Sequence, residues 1–184
     1  MSEKKEQIIQ SATQMIRHGG YNAFSFREIA EAIGIKSSSV HYYFRRKEDL
    51  AAVVAKRYSD AFLNVLGDPR ALNRNSKSIL AHYGNAFINA FKGSGKACLC
   101  SILSHESPAI PQSVLLEIDS FVDKNIDWLT AAFRFASGSS GTKKFLEQAR
   151  VTYTALNGAM AVATLKQDAG WIKSIQSYLI QKSG

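Results

Sequence analysis

The chain has 184 residues, 46% of them hydrophobic and 21% charged, which is a globular composition with enough apolar material for a sizeable core. No stretch approaches the roughly 20 apolar residues of a membrane span, and Met1-Ser2-Glu3-Lys4-Lys5 runs straight into an amphipathic pattern, unlike a secretory signal. A cytoplasmic protein without a membrane partner is expected; its formal charge of +8 favours acidic partners such as nucleic acid, although residues 1–50 carry eight bases against six acids and placement must decide.

Apolar residues recur every three or four positions, and proline occurs only at 69, 108 and 111, so the fold reads as all-α. Ile8, Ala12, Met15 and Ile16 form the stripe of a first helix over about 3–18, stopped by Gly19-Gly20. Ser25 precedes a short second helix carrying Phe26, Ile29, Ala30 and Ile33, with Glu28 three residues on as in a capping box, and Gly34 ends it. A third helix is predicted over Ser37–Tyr43. A fourth begins at Lys47, with Glu48 and Asp49 suited to the positive end of its dipole, and reaches Leu66 before Gly67-Asp68-Pro69 breaks it. Further helices are expected near 75–92, 97–105, 112–136, 142–166 and 169–181, with 136–141 as a polar flexible loop.

Helices two and three have the layout of a helix-turn-helix. Such a motif needs a small residue inside its first helix, a residue that lets the chain reverse, and spaced apolar anchors. Ala30 is the small residue, Gly34 stands at the turn, and Ile29, Ile33, Ile35, Val40 and Tyr43 take the anchoring positions. Ser37, Ser38 and Ser39 open the third helix with short hydroxyls and backbone amides suited to phosphates. His41 and Tyr42 are expected to project outward while Val40, Tyr43 and Phe44 lean inward, with the Tyr43 hydroxyl still in reach of a phosphate. The bland alternatives are a core role for Tyr43 and Phe44, a purely capping role for Ser25, and solvated surface charge for Arg27, Arg45 and Arg46.

The run Gly20-Tyr21-Asn22-Ala23-Phe24-Ser25-Phe26-Arg27-Glu28-Ile29-Ala30, then Gly34-Ile35-Lys36-Ser37-Ser38-Ser39-Val40-His41-Tyr42-Tyr43-Phe44, then Lys47-Glu48-Asp49-Leu50 resembles the signature of the TetR family of regulators over roughly residues 5–55. The resemblance implies an Ω-shaped homodimer of about nine helices per chain. Each chain would have a DNA-binding head over 1–50 and a helical ligand-binding and dimerisation body over 51–184. It also implies a palindromic operator, released when a small-molecule inducer binds. Carried onto this chain, the DNA-contacting set is Ser25, Arg27, Lys36, Ser37, Ser38, Ser39, His41, Tyr42, Tyr43 and Lys47, the last on a phosphate. Lys36 stands where the family often has Ser or Thr, so the cap of the third helix is expected to shift to Ser37.

In the body, Tyr153, Asn157, Met160 and Thr164 align on one side of the penultimate helix and suit a pocket wall. Residues expected to line the pocket are His82, Tyr83, Phe87, Cys98, Cys100, Phe121, Asn125, Trp128, Tyr153, Asn157 and Met160, with His82, His105 and Glu106 the titratable groups nearby. Any single aromatic among them is equally at home in a plain core. The other side of that helix offers Ala155, Gly158, Ala159, Val162 and Ala163, and the last helix adds Trp171, Ile175, Tyr178 and Leu179. The resemblance makes these the dimer interface; intramolecular packing is the alternative.

Gly95-Lys96-Ala97-Cys98-Leu99-Cys100 is similar to the matching stretch of the family's electrophile-responsive branch, the one that includes the N-ethylmaleimide repressor. A thiol at a helix N-terminus beside Lys96 would ionise more easily and could sense electrophiles or oxidants, whereas a buried cysteine is simply a small hydrophobe. Two cysteines this close make neither a disulfide framework nor a four-ligand metal site, so no metal and no cofactor are expected. Competing functions are a ligand-independent DNA-binding activator or architectural protein, and more remotely a thiol-based redox enzyme. The latter lacks any evident nucleophile paired with a base.

Overall fold

A computed structural model describes residues 2–72, 75–138 and 142–183. Among the described residues the chain forms nine α-helices: α1 Glu3–Gly19, α2 Phe26–Ala32, α3 Ser37–Tyr43, α4 Lys47–Leu66, α5 Ser76–Lys92, α6 Leu99–His105, α7 Gln112–Ser137, α8 Thr142–Lys166 and α9 Gly170–Lys182, and short 3-10 turns at Tyr21–Ala23, Pro69–Ala71 and Ser107–Ala109. The boundaries follow the punctuation of the sequence. Gly20, at φ 80, receives the end of α1 by donating its amide to Ile16 O, and Gly67 does the same for α4 onto Leu63 O. Helix α7 runs on through Ala136 and Ser137, so those two residues are helical rather than part of a flexible loop. The following Ser139, Ser140 and Gly141, predicted as loop, lie outside the described residues.

The helices gather into two compact units, residues 1–60 with 99–121, and residues 61–98 with 122–184. In the first, Ile8, Ala12 and Ile16 of α1, Phe24, Ile29 and Ala30 around α2, Val40 of α3, and Leu50 and Val54 of α4 are buried together, with Leu99, Leu103 and Val114 from the later segment. Each buried branched side chain contributes about 1.5–3 kcal/mol. Across this unit the Arg57 guanidinium grips both carboxylate oxygens of Glu6, at 2.8 and 2.7 Å. In the second unit α9 packs against α5 and α8. Gln176 of α9 donates to Ala81 O at 2.8 Å and to Asn85 Oδ1 at 3.1 Å, fastening the last helix to α5. Among the described residues no helix is long and apolar enough to cross a membrane, and no group of His, Cys, Asp and Glu could hold a metal ion.

Candidate functional site

Helices α2 and α3 are joined by a turn that sequence chemistry dictates. Ser25 is extended and its hydroxyl accepts the Glu28 amide at 3.2 Å, satisfying one of the orphan donors that begin α2. Gly34 takes φ 68, which a side chain would strain, and the Ile35 amide then closes the turn onto Ala30 O at 2.9 Å. That closure leaves Lys36 extended as the residue before α3, with no side-chain cap. The expected shift of the cap to Ser37 does not occur, because Ser37 is already helical.

Val40 and Phe44 are buried, which fixes the rotation of α3 about its axis. The opposite face carries Ser38, His41 and Tyr42, spaced three and four residues apart and all exposed, Tyr42 by 82%. Lys36 is exposed as well, and Ser37, Ser39 and Tyr43 are half-buried at the margins. His41 meets the Phe26 ring edge-on at 4.8 Å, Tyr42 meets Tyr43 at 5.0 Å, and the Tyr43 hydroxyl lies 2.9 Å from Ser2 Oγ. Arg27 is exposed and engaged with Glu31 at 2.8 Å. The result is a short helix presenting hydroxyl, imidazole and phenol groups outward, the donors and acceptors that base edges and phosphates take.

Lys47 behaves differently from the other basic residues of this set. Its ammonium lies 4.5 Å from the Tyr21 ring centre and 4.6 Å from that of Phe24. Burial lowers its pKa below the usual lysine value, with Glu28 and Glu106 opposing the shift. Sequence reasoning also placed Glu106 among the titratable groups of the body. In the structure its Oε2 accepts the Tyr21 amide at 3.0 Å, beside the head helices. No local signal could have found this pairing, since 85 residues separate the partners.

Of the predicted pocket residues, the second unit brings His82, Tyr83, Phe87, Asn125 and Trp128 together. Tyr83 and Asn125 are fully buried, and the phenol donates to Asn125 Oδ1 at 2.7 Å. Burial, then Tyr153 and Cys98, raise the Tyr83 pKa well above the ordinary phenol value, so the hydroxyl stays a donor. Trp128 Nε1 donates to Gly67 O at 2.7 Å, His82 Nε2 lies 3.0 Å from Leu66 O, and the His82 and Tyr83 rings each stack on Trp128, at 6.0 and 5.7 Å. Phe87 lies 5.4 Å from Tyr83. Cys98 and Met160 are buried, while Tyr153 and Asn157 are half-buried on α8, where Asn157 donates to Tyr153 O. Cys100 and Phe121 belong to the first unit, where Phe121 packs on Tyr58 at 5.8 Å. A groove of about 530 Å³ in the second unit, walled by Leu80, Lys144, Phe145, Val151, Leu179 and Lys182, shares no residue with the predicted pocket set. Cys98 precedes α6 rather than opening it, and both cysteines are buried and outside any disulfide, away from the solvent an electrophile would come from.

The predicted dimer face divides. Gly158, Trp171 and Tyr178 are exposed, and Ala155, Val162, Ile175 and Leu179 are half-buried. Ala159 and Ala163 are a correction: both are buried within their own chain, on the inward side of α8. The outward stripe of α8 runs instead through Val151, Thr154, Gly158, Ala161 and Leu165, with Val151 61% and Leu165 79% exposed. Small residues on every side of α8 made its faces hard to separate by pattern.

The profile of the bacterial regulatory proteins of the tetR family matches residues 8–54, the segment that holds α2 and α3. No curated protein matches the chain. Among solved structures it is similar to a TetR transcriptional regulator from Legionella pneumophila, at 28% identity over 100% of this chain and 99% of that one, TM-score 0.89. It is also similar to a TetR-family regulator from Agrobacterium tumefaciens, at 25% identity over 98% and 97%, TM-score 0.87. The reduced form of NemR from E. coli shares the fold at 20% identity over 96% of both chains, TM-score 0.80.

Proposed function

We propose that the chain is a TetR-type transcription regulator, as the profile match over residues 8–54 and the similarity to solved TetR regulators support, and that it acts as a cytoplasmic repressor. In this reading it grips a palindromic operator as a homodimer and lets go when a small molecule enters its helical body. The observation that carries the DNA-binding part is the outward face of α3, where Ser38, His41 and Tyr42 stand exposed on a helix whose rotation is set by buried Val40 and Phe44. A homodimer would hold two such helices about 34–36 Å apart, one turn of DNA. The exposed apolar stripe of α8 with Trp171 and Tyr178 of α9 supports self-association. An inducer acts only by its difference in affinity for free and operator-bound protein, a coupling on the order of 1–3 kcal/mol.

Selection of duplexes from a random-sequence pool by the purified protein tests this reading. An enriched inverted repeat, with half-sites one helical turn apart, is the expected result. A recovered pool with no common sequence would sink operator recognition.

A further inference from the structure

The Glu106 carboxylate occupies a site that the rest of the chain is shaped to receive. It follows α6, and its own backbone holds a corner: its amide donates to Leu103 O at 3.1 Å, and its carbonyl accepts from Ala109 at 2.8 Å, at the 3-10 turn Ser107–Ala109. From that corner the side chain reaches the end of α1. Oε2 accepts the Tyr21 amide at 3.0 Å, and the carboxylate fills the space beside Gly20 so closely that a Cβ on Gly20 would overlap it. Gly20 itself sits at φ 80, so both its conformation and the missing side chain are used. The Tyr21 ring on this same turn, with Phe24, covers the Lys47 ammonium at the start of α4. Residues 99–121 form one compact unit with residues 1–60.

We propose that Glu106 is a positioning residue for the DNA-reading head: its carboxylate, seated in the Gly20 notch on the Tyr21 amide, ties α6 to the turn between α1 and α2. A movement of α6 is then delivered to that turn, and through Tyr21 and Phe24 to the helices that present Ser38, His41 and Tyr42. The tie is direct and charge-assisted, so it is stronger than a neutral hydrogen bond. The DNA half of this inference rests on the regulator reading above; the tie itself does not.

The test uses the full chain as Glu106→Ala, Glu106→Gln, Gly20→Ala and the Gly20→Ala/Glu106→Ala pair. Without DNA, amide exchange at Tyr21 and across residues 24–44 should rise on the order of tenfold in Glu106→Ala, the loss expected for one hydrogen bond to a charged group. Glu106→Gln, whose amide oxygen still accepts, should restore most of the protection. In thermal unfolding the double variant should lose less than the two single losses added together, because the overlap at Gly20 vanishes with the carboxylate. Affinity for the duplex selected by the unaltered protein should fall about tenfold in Glu106→Ala and recover in Glu106→Gln. Unchanged exchange at Tyr21, or strictly additive losses, overturns the tie. Altered exchange with unaltered affinity leaves a structural fastening only and overturns the positioning role. If the unaltered protein selects no duplex at all, the regulator reading fails, while exchange and unfolding still decide the tie.

Discussion

Tyr42 exposes 82% of its surface although phenol rings usually bury much of theirs, while buried Val40 and Phe44 anchor α3. Replacing it with Ala is expected to leave the unfolding temperature within error while weakening binding to a selected operator about tenfold or more, read by gel shift beside a melting curve. Tyr83 presents the opposite case. Its phenol is buried and donates to Asn125 Oδ1, so Tyr83→Phe deprives a buried acceptor of this donor without changing the packing. A cost of about 1–3 kcal/mol in urea unfolding is expected, with little effect on DNA binding. At this scale the sequence was legible wherever a residue answers to its neighbours along the chain. The Ser25 cap could be read from Glu28 three residues later, and the outward placement of His41 and Tyr42 from helical periodicity. The inward turn of Lys47 and the seat of Glu106 could not be read that way, because their partners are set by tertiary packing.

Helices are the level at which pattern and structure agree most closely. Helix α4 ends at Leu66 because Gly67 can take φ 64 and Pro69 cannot continue a helix, and α3 spans Ser37–Tyr43 because Gly34 sets the turn before it. The cap of α2 makes a direct prediction: Ser25→Ala leaves the Glu28 amide without its acceptor and should cost about 1 kcal/mol in chemical unfolding, with Ser25→Asp restoring it. Helix α8 shows where pattern fails. Alanines and a glycine lie on several of its sides, so composition does not distinguish the buried Ala159 and Ala163 from the exposed Gly158 and Ala161; packing against neighbours such as α5 and α9 decides which are covered. The large residues Val151 and Leu165 mark the outward side better than the small ones do.

For the molecule as a whole, that outward side supplies the assembly prediction. Leu165 is 79% exposed in the single chain, so Leu165→Asp should cost little if the chain stands alone. In the proposed homodimer it would bury a charge at the interface and is expected to shift sedimentation at micromolar concentration from dimer to monomer with helicity unchanged. Unchanged sedimentation of a dimer would move the interface elsewhere. Division of the chain at residue 50 follows the reach of the DNA-reading signature, whereas the compact unit around the head extends to residue 60 and takes in residues 99–121 as well. A chimera that transplants the first 60 residues onto a foreign regulator would therefore leave behind the acceptor of the Tyr21 amide and the buried Leu99, Leu103 and Val114 of the same compact unit. If Glu106 positions the head as proposed, exchanging specificity in this way is expected to need the donor's later segment as well, or a recipient that supplies its own carboxylate to the Tyr21 amide.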